Sequence, residues 1–225
     1  MIDHDKNISL LSDMPVPKMT RIAVFGGTFD PVHNGHLSLA SALVEEGRAD
    51  EILFIPAGRP PHKTQGTHAT AEQRLEMLSI AIKDYPAFAV SDIEVARKEE
   101  PSYTIDTLIV LAQIYPDCRL EFLLGMDSLL ELHKWHRVGD LVRRFDFLVY
   151  PRPGVRAPTQ SDLATKLGIR NAVKLLRSVV MDLPTFPTSS TEVRARQAKG
   201  QLVDEQCPVP VAQYIEEHGL YGASA

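Results

Sequence analysis

Short apolar runs alternate with amphipathic segments along most of the chain. Apolar runs bounded by glycine, proline or polar turns are typical of buried strands, whereas apolar positions three and four apart indicate helices. On this basis we predict strands at residues 21–25, 51–56, 88–95, 120–124, 145–150 and 178–181. Helices are predicted from residue 34 up to Gly47, and at residues 71–82, 105–114, 127–132, 138–143, 162–176, 192–199 and 209–218.

This alternation of strands and helices predicts an α/β fold with a mostly parallel sheet and helices on both faces. The chain has 225 residues, which suits a single such domain. We place the domain at residues 21–225, and we predict that residues 1–20 form a loosely ordered N-terminal extension. The loop at residues 151–160 is the one candidate linker, and we favour a turn within one domain there.

Composition narrows the class of protein. The formal net charge of -5 argues against a dedicated nucleic-acid binder, whose surface is basic. No run reaches the roughly 18 apolar residues of a membrane helix, and the first twenty residues lack the pattern of a secretion signal. Cys118 and Cys207 lie far apart, which favours two reduced thiols over a disulfide. We therefore expect a cytoplasmic protein that binds neither nucleic acid nor membranes.

A glycine-rich turn joins the first predicted strand to the first predicted helix, and it contains Gly26, Gly27, His33, Gly35 and His36. Glycines let a phosphate approach the backbone, and a helix N-terminus offers free N–H groups. The two histidines are three residues apart, so their rings share one face of the helix and can donate hydrogen bonds to phosphate oxygens. The alternatives are a helix cap with incidental histidines and a metal site without further His or Cys ligands nearby. We favour anion binding.

These residues match the H-x-G-H signature of nucleotidyltransferases, and the whole run from Gly26 to His36 resembles bacterial nicotinate-nucleotide adenylyltransferases. The resemblance implies a Rossmann-like, doubly wound fold and ATP with Mg²⁺ as co-substrate. It also implies that His33 and His36 contact the ATP phosphates. Motifs similar to those of the family occur in order from Arg21 to Tyr221.

Two later segments resemble nucleotide-binding elements of the same family. Asp127 follows a predicted strand and could bind ribose hydroxyls or merely cap a helix. Arg194 lies one turn into a predicted helix that begins with hydroxyl side chains, an arrangement that can bind a second anion. With the resemblance, the predicted ATP-binding residues are Gly26, Gly27, Thr28, Phe29, His33, Gly35, His36, Gly125, Asp127, Ser190, Thr191 and Arg194.

A proline-rich loop with basic residues follows the second predicted strand and ends at Lys63. Its residues alone fit a solvated surface loop and a phosphate-binding loop equally well. The resemblance implies that the lysine contributes to the phosphate environment. We therefore predict His33, His36, Lys63 and Arg194 as catalytic residues, and we predict no metal ligands from the protein.

The acceptor pocket is predicted from three residues. Tyr103 and Thr104 open a predicted helix whose free N–H groups could hold a carboxylate, although an ordinary helix start explains the segment too. Trp135, the only tryptophan, lies in a polar stretch and suits either stacking on a planar ring or anchoring its loop. The resemblance implies that Trp135 stacks on a nicotinate ring, and that backbone groups near Tyr103 and Thr104 bind the ring's carboxylate.

One departure from the family lies beside this pocket. Where the family usually has glycine shortly before the Ser-Tyr-Thr element, this chain has Glu99, Glu100 and Pro101. Two acidic residues therefore stand next to the predicted carboxylate site.

The predicted reaction transfers AMP from ATP to nicotinate mononucleotide and yields nicotinate adenine dinucleotide and pyrophosphate in NAD biosynthesis, by direct in-line attack. Nicotinamide mononucleotide or phosphopantetheine are alternative acceptors. A nucleotide-binding regulator without chemistry is a different class of alternative. A NAD-dependent dehydrogenase is disfavoured because the G-x-G-x-x-G motif is missing. The sequence is compatible with a homo-oligomer.

Overall fold

The computed structural model describes residues 19–60, 66–97, 101–184 and 187–222. All strands of its sheet run parallel, in the order β3-β2-β1-β4-β5. This order confirms the predicted Rossmann-like α/β fold. The strands are β1 (Thr20–Gly27), β2 (Glu51–Pro56), β3 (Phe88–Val90), β4 (Cys118–Gly125) and β5 (Asp146–Tyr150).

Helices cover both faces of the sheet, because neighbouring residues of each strand point to opposite faces. Phe25 of β1 packs into one apolar cluster with the helices of one face, and the preceding Val24 packs into a second cluster with the helices of the other face. Every helix in the described ranges is too short or too polar to cross a membrane. The helices are α1 (Asn34–Glu45), α2 (Ala71–Ile82), α3 (Thr104–Ile114), α4 (Met126–Glu131), α5 (Val138–Arg144), α6 (Gln160–Leu167), α7 (Ile169–Arg177), α8 (Ser190–Gln197) and α9 (Val209–Glu217).

Two predicted elements were too long. The predicted strand 88–95 ends at Val90, and the Ala96 N–H donates to the Asp92 carbonyl oxygen at 2.8 Å, which makes a turn where the strand was expected. The predicted helix 162–176 is two helices, α6 and α7, separated at Gly168. That glycine has φ 82° and ψ 153°, a backbone conformation that is open to glycine and incompatible with a continuing α-helix.

The predicted strand 178–181 was wrong. Only a single bridge forms, between Val149 of β5 and Val179. Met181 is 66% exposed, so the segment leaves the sheet as soon as it has paired. An apolar run forms a strand only if it continues alongside a neighbouring strand. Whether it does so depends on the tertiary structure.

The sheet order creates a crevice at one edge. From β1 the chain builds outwards through β2 and β3 on one side, and then through β4 and β5 on the other. Ligands of such sheets bind beyond the carboxyl ends of the strands, where the order reverses. Strands β1, β2, β4 and β5 end there at Gly27, Pro56, Gly125 and Tyr150, so the loops that follow these residues surround one site.

Residues 1–18 lie outside the described residues, so the N-terminal extension stays a prediction; β1 begins at Thr20. Both cysteines are free thiols, as expected. Burial raises the pKa of the Cys207 thiol to about 12, so this side chain stays protonated in the core.

Candidate active site

A cavity of about 850 Å³ opens at the carboxyl edge of the sheet, a volume that suits a nucleotide-sized ligand. Tyr103 is outside its lining, and Lys63 lies outside the described residues. The predicted site residues that line the cavity are Gly26, Gly27, Thr28, Phe29, His33, Gly35, His36, Thr104, Gly125, Asp127, Trp135, Ser190, Thr191 and Arg194.

The two histidines meet at the start of α1. His33 precedes the first residue of the helix and is 6% exposed, and its ring stacks on that of His36 with centroids 3.7 Å apart. The His33 backbone N–H donates to His36 Nδ1 at 3.2 Å. A neutral imidazole that accepts at one nitrogen carries its proton on the other, so His36 presents Nε2–H as a donor.

Burial keeps both rings uncharged. Burial, together with the charge of the nearby Arg152, lowers the pKa of His33 to about 4. Burial also lowers the pKa of His36 well below its usual value, together with the charges of His33 and Arg152. In the ligand-free protein near pH 7 the pair therefore acts through hydrogen-bond donors, and positive charge must come from other residues.

An aromatic cluster holds the turn before these histidines. Phe29 has φ 49°, which is strained for a residue other than glycine. Its ring packs edge-on against Phe25 at 5.3 Å and against His36 at 5.0 Å. A Cβ on Gly27 would lie 3.0 Å from the Phe29 ring, and one on Gly26 would lie 3.0 Å from the Phe122 ring. A side chain at either position would therefore force the facing ring to shift.

Asp30 ties the turn to distant parts of the chain. Its carboxylate is buried and accepts hydrogen bonds from the His68 N–H at 2.9 Å, the Ala69 N–H at 3.1 Å and the Tyr221 hydroxyl at 2.9 Å. Burial alone would raise the pKa of Asp30, but these hydrogen bonds outweigh burial and lower it. The carboxylate is therefore a charged, buried anchor that sequence reasoning missed.

Helix α8 is fastened to the same turn. The Ser190 hydroxyl donates to the Pro31 carbonyl oxygen at 2.9 Å. Arg194 Nη1 donates to the Asp30 carbonyl oxygen at 2.7 Å, and Arg194 Nη2 donates to Thr191 Oγ1 at 3.3 Å. The guanidinium is thus held in one place at the cavity wall.

Arg74 of α2 donates a hydrogen bond to the glycine-rich turn from the protein interior. The sequence did not predict this role. The Arg74 side chain is fully buried, with Nη1 donating to the Thr28 carbonyl oxygen at 2.7 Å. Further hydrogen bonds of 3.4 Å reach the carbonyl oxygens of Gly58 and Ala69. Burial lowers its pKa from the usual value. In the sequence Arg74 looks like any polar position of an amphipathic helix, so nothing local reveals this role.

Arg152 supplies a second cation at the cavity, next to Asp127. Its Nε lies 3.3 Å from Asp127 Oδ1, and its Nη2 donates to the Tyr150 hydroxyl at 3.0 Å. Gly125 makes room for the ion pair, because a Cβ there would lie 2.5 Å from Asp127 Oδ1 and 3.1 Å from Arg152 Nε. The sequence contained one signal for this role of Arg152: the residue closely follows a strand that ends at the ligand-binding edge.

The predicted acceptor residues divide into two groups. Trp135 and Thr104 line the cavity, and the half-buried indole meets the Phe122 ring edge-on with centroids 6.0 Å apart. Tyr103 instead stacks on His136, with centroids 4.2 Å apart. The first turn of α3 at Thr104 therefore faces the cavity, whereas the Tyr103 ring lies beside it.

A buried carboxyl group lies near this first turn. Glu94 lines the cavity, is 8% exposed, and accepts a hydrogen bond from Thr107 Oγ1 at 2.7 Å. Burial raises its pKa. Glu99 and Glu100, the acidic residues noted in the sequence, lie outside the described residues.

Comparison with known proteins places this site in a family. Residues 24–196 match the cytidylyltransferase-like family. The chain is 38% identical to a probable nicotinate-nucleotide adenylyltransferase of Thermomicrobium roseum, over 90% of this chain and 92% of that protein. It is 37% identical to the nicotinate-nucleotide adenylyltransferase of Bacillus subtilis, over 90% of this chain and 99% of that protein.

A solved structure shares the fold. The Plasmodium falciparum nicotinic acid mononucleotide adenylyltransferase, complexed with NaAD, superimposes with a TM-score of 0.70 at 20% identity, over 90% of this chain and 97% of that one. At this identity the likeness concerns the fold alone, and the sequence relatives decide the family. The chain belongs to the cytidylyltransferase-like family, among its nicotinate-nucleotide adenylyltransferases.

Proposed function

We propose that the protein transfers AMP from ATP to nicotinate mononucleotide, giving nicotinate adenine dinucleotide and pyrophosphate in NAD biosynthesis. The observation that carries the proposal is the stacked pair of His33 and His36 at the start of α1, in one cavity with Arg152 and Arg194. The relatives named above, which carry this activity in their names, support the choice of reaction.

The phosphates of ATP lie against the glycine-rich turn in this proposal. The Nε2–H of His36 and the free N–H groups at the start of α1 donate to phosphate oxygens. Arg194 and Arg152 supply permanent positive charge, because a guanidinium keeps its proton even beside a buried site. Lys63, which the resemblance to the family implies as a contributor to the phosphate environment, completes the set of cations.

The chemical step is a single displacement. A 5′-phosphate oxygen of the acceptor forms a bond to the α-phosphorus of ATP, and the bond from that phosphorus to the bridging oxygen breaks. Pyrophosphate leaves with the electron pair. A phosphate monoester is already anionic near neutral pH, so no general base is required. The residues of the site position two polyanions and stabilise the charge that moves to the leaving group.

Mg²⁺ enters this proposal as part of the ATP substrate, where it neutralises phosphate charge. A magnesium ion carried by a triphosphate needs only one or two protein carboxylates. Asp127 and Glu94 are carboxylates that line the cavity, and the described ranges hold no cluster of three His, Cys, Asp or Glu residues suited to a metal ion. Two carboxylates in the cavity lining would suit a magnesium ion whose other ligands are phosphate oxygens and water.

The acceptor's ring lies against Trp135, with its carboxylate towards the N–H groups at the start of α3, near Tyr103 and Thr104. The Phe122 ring supports the indole from its edge. A carboxylate needs only donors, whereas a carboxamide also needs an acceptor, so such a pocket can discriminate between the two by up to about 10⁴-fold.

The test is a pyrophosphate-release assay with ATP and Mg²⁺, run in parallel with nicotinate mononucleotide, nicotinamide mononucleotide and phosphopantetheine. We expect the nicotinate form to be strongly preferred. Release with another acceptor would overturn the acceptor pocket but keep adenylyl transfer. Folded protein that binds ATP and releases no pyrophosphate with any acceptor would overturn the proposed function.

A further inference from the structure

We propose that Tyr221, near the end of the chain, is a positioning residue for adenylyl transfer that acts through Asp30 on Arg194. The inference rests on the proposed function, because it takes Arg194 to bind the triphosphate. It adds a residue that is 27 positions beyond Arg194 in the sequence and does not line the cavity.

The first link is the hydrogen bond from Tyr221 to Asp30. The hydroxyl donates to Asp30 Oδ1 at 2.9 Å, and the carboxylate is only 1% exposed. A hydrogen bond to a buried, ionised carboxylate is stronger than one between neutral groups. Asp30 Oδ1 also accepts from the Ala69 N–H at 3.1 Å, and Oδ2 accepts from the His68 N–H at 2.9 Å, so without Tyr221 the anchor is weakened at Oδ1 but not lost.

The second link is from Asp30 to the guanidinium. The main-chain oxygen of Asp30 accepts from Arg194 Nη1 at 2.7 Å, while Thr191 Oγ1 holds Nη2. These bonds leave three of the five guanidinium donors for a ligand. Fixing the Asp30 side chain fixes the direction of its carbonyl group, and that direction sets where the remaining donors of Arg194 point.

The backbone that follows α9 positions the Tyr221 hydroxyl next to Asp30. After α9, Gly219 adopts φ 58°, which turns the backbone, and the Leu220 N–H donates to the Ile215 carbonyl oxygen at 2.9 Å. Leu220 is 9% exposed and packs in the core, so the next residue is held against the glycine-rich turn. Tyr221 itself has φ 60°, and this unfavourable conformation is maintained at the contact with Asp30.

The experiment compares Tyr221→Phe with Tyr214→Phe, which removes a hydroxyl from α9 that makes no hydrogen bond to the described residues. We expect Tyr221→Phe to lower kcat by roughly tenfold at a temperature well below its melting point, with the KM for nicotinate mononucleotide unchanged. Tyr214→Phe should leave both constants unchanged. A lower melting temperature with unchanged kcat would mean that Tyr221 is merely structural and would overturn the inference.

A double-mutant cycle tests the route through Arg194. In an Arg194→Ala background, Tyr221→Phe should cause less than a twofold further loss of kcat. Equal losses in both backgrounds, or an Arg194→Ala variant with full kcat, would overturn the inference while leaving the reaction intact. A wild-type protein that releases no pyrophosphate would overturn the proposed function and this inference together.

Discussion

The imidazole rings of His33 and His36 stack with centroids 3.7 Å apart and planes inclined by 28°. At this separation two protonated rings would repel each other, and burial disfavours a charge on either. The pair is therefore a neutral donor site before substrate binds. Anionic phosphates next to the rings would raise both pKa values, so binding and protonation are coupled.

The free energy of unfolding should fall as the pH is lowered through the range in which unfolded histidines become protonated. The pKa of His33 is lowered to about 4 in the folded protein, against about 6.5 when unfolded. The contribution of His33 to the free energy of unfolding is complete above pH 6.5. It is lost, at about 1.4 kcal/mol per pH unit, as the pH falls from 6.5 to 4. Urea unfolding of the ligand-free protein at pH 7.0 and at lower pH measures this slope.

Two glutamine variants test the origin of this slope, one at His33 and one at a control position. His33→Gln should flatten the slope, whereas His218→Gln, at an exposed position after α9, should leave it unchanged. Asp30, whose pKa is lowered, loses its contribution only at more acidic pH, below about 3.8. An unfolding free energy that stays constant from pH 7 to 5 would contradict the buried, neutral pair.

His36→Ala should lower kcat by about 10²-fold or more, the scale expected for loss of one preorganised donor to developing charge. The reason is that its Nε2–H is aimed by the hydrogen bond at Nδ1. His218→Ala is the matched control and should keep full activity. Steady-state pyrophosphate release checks both variants, and a His36→Ala enzyme with normal kcat would remove this residue from the mechanism.

Gly125→Ala should reduce activity, because its Cβ would lie 2.5 Å from the Asp127 carboxylate and displace the pair with Arg152. We expect a loss of kcat/KM for ATP of roughly tenfold or more. Gly139→Ala makes the same change in α5 where nothing lies within 4 Å, so activity should stay the same. Equal activities of the two variants would show that the ion pair tolerates displacement.

Arg74→Met should destabilise the protein by about 2–4 kcal/mol, because three carbonyl oxygens would lose a charged donor in the core. Arg170→Met is the control. That side chain is exposed on α7 and has no partner among the described residues, so its effect should stay within about 0.5 kcal/mol. Chemical denaturation of both variants gives the comparison. An Arg74→Met protein as stable as the wild type would contradict a stabilising role of these three hydrogen bonds.

Trp135→Ala should raise the KM for nicotinate mononucleotide by roughly tenfold, the scale of a lost ring-stacking contact, and leave the KM for ATP unchanged. Trp135→Phe keeps a flat ring on the same backbone and should retain most of the affinity. The two constants come from varying each substrate at saturating levels of the other. Weakened ATP use with normal acceptor kinetics would contradict the stacking role.

Much of the fold and the candidate site could be predicted from the sequence, because the signals involved are local. The run from Gly26 to His36 is contiguous, follows a strand and precedes a helix, so its position at the ligand-binding edge follows from strand direction. The same argument applies to Gly125. Separate motifs converge in one cavity because each follows a strand of the same parallel sheet or begins a helix beside it.

Elements whose form depends on their neighbours could not be predicted in the same way. Residues 178–181 have the composition of a strand, but a strand needs a partner edge, and only Val179 finds one. The helix predicted across Gly168 is broken because this glycine adopts φ 82°, and the apolar periodicity continues on both sides of the break without revealing it. Hydrophobic periodicity shows which face of a helix or strand is apolar, but it does not show which segment packs against that face.

The sequence by itself determined the order of strands and helices as far as β5, the glycine-rich turn with its two histidines, and the hydroxyl-rich start of α8. Only the tertiary structure decided that Arg74 is buried beneath the turn, that Arg152 pairs at the cavity, and that Tyr221 reaches Asp30 across 191 positions. The physical reason is that hydrophobic periodicity and caps depend on residues a few positions apart. Hydrogen bonds between buried polar groups depend on where the folded backbone brings distant segments together.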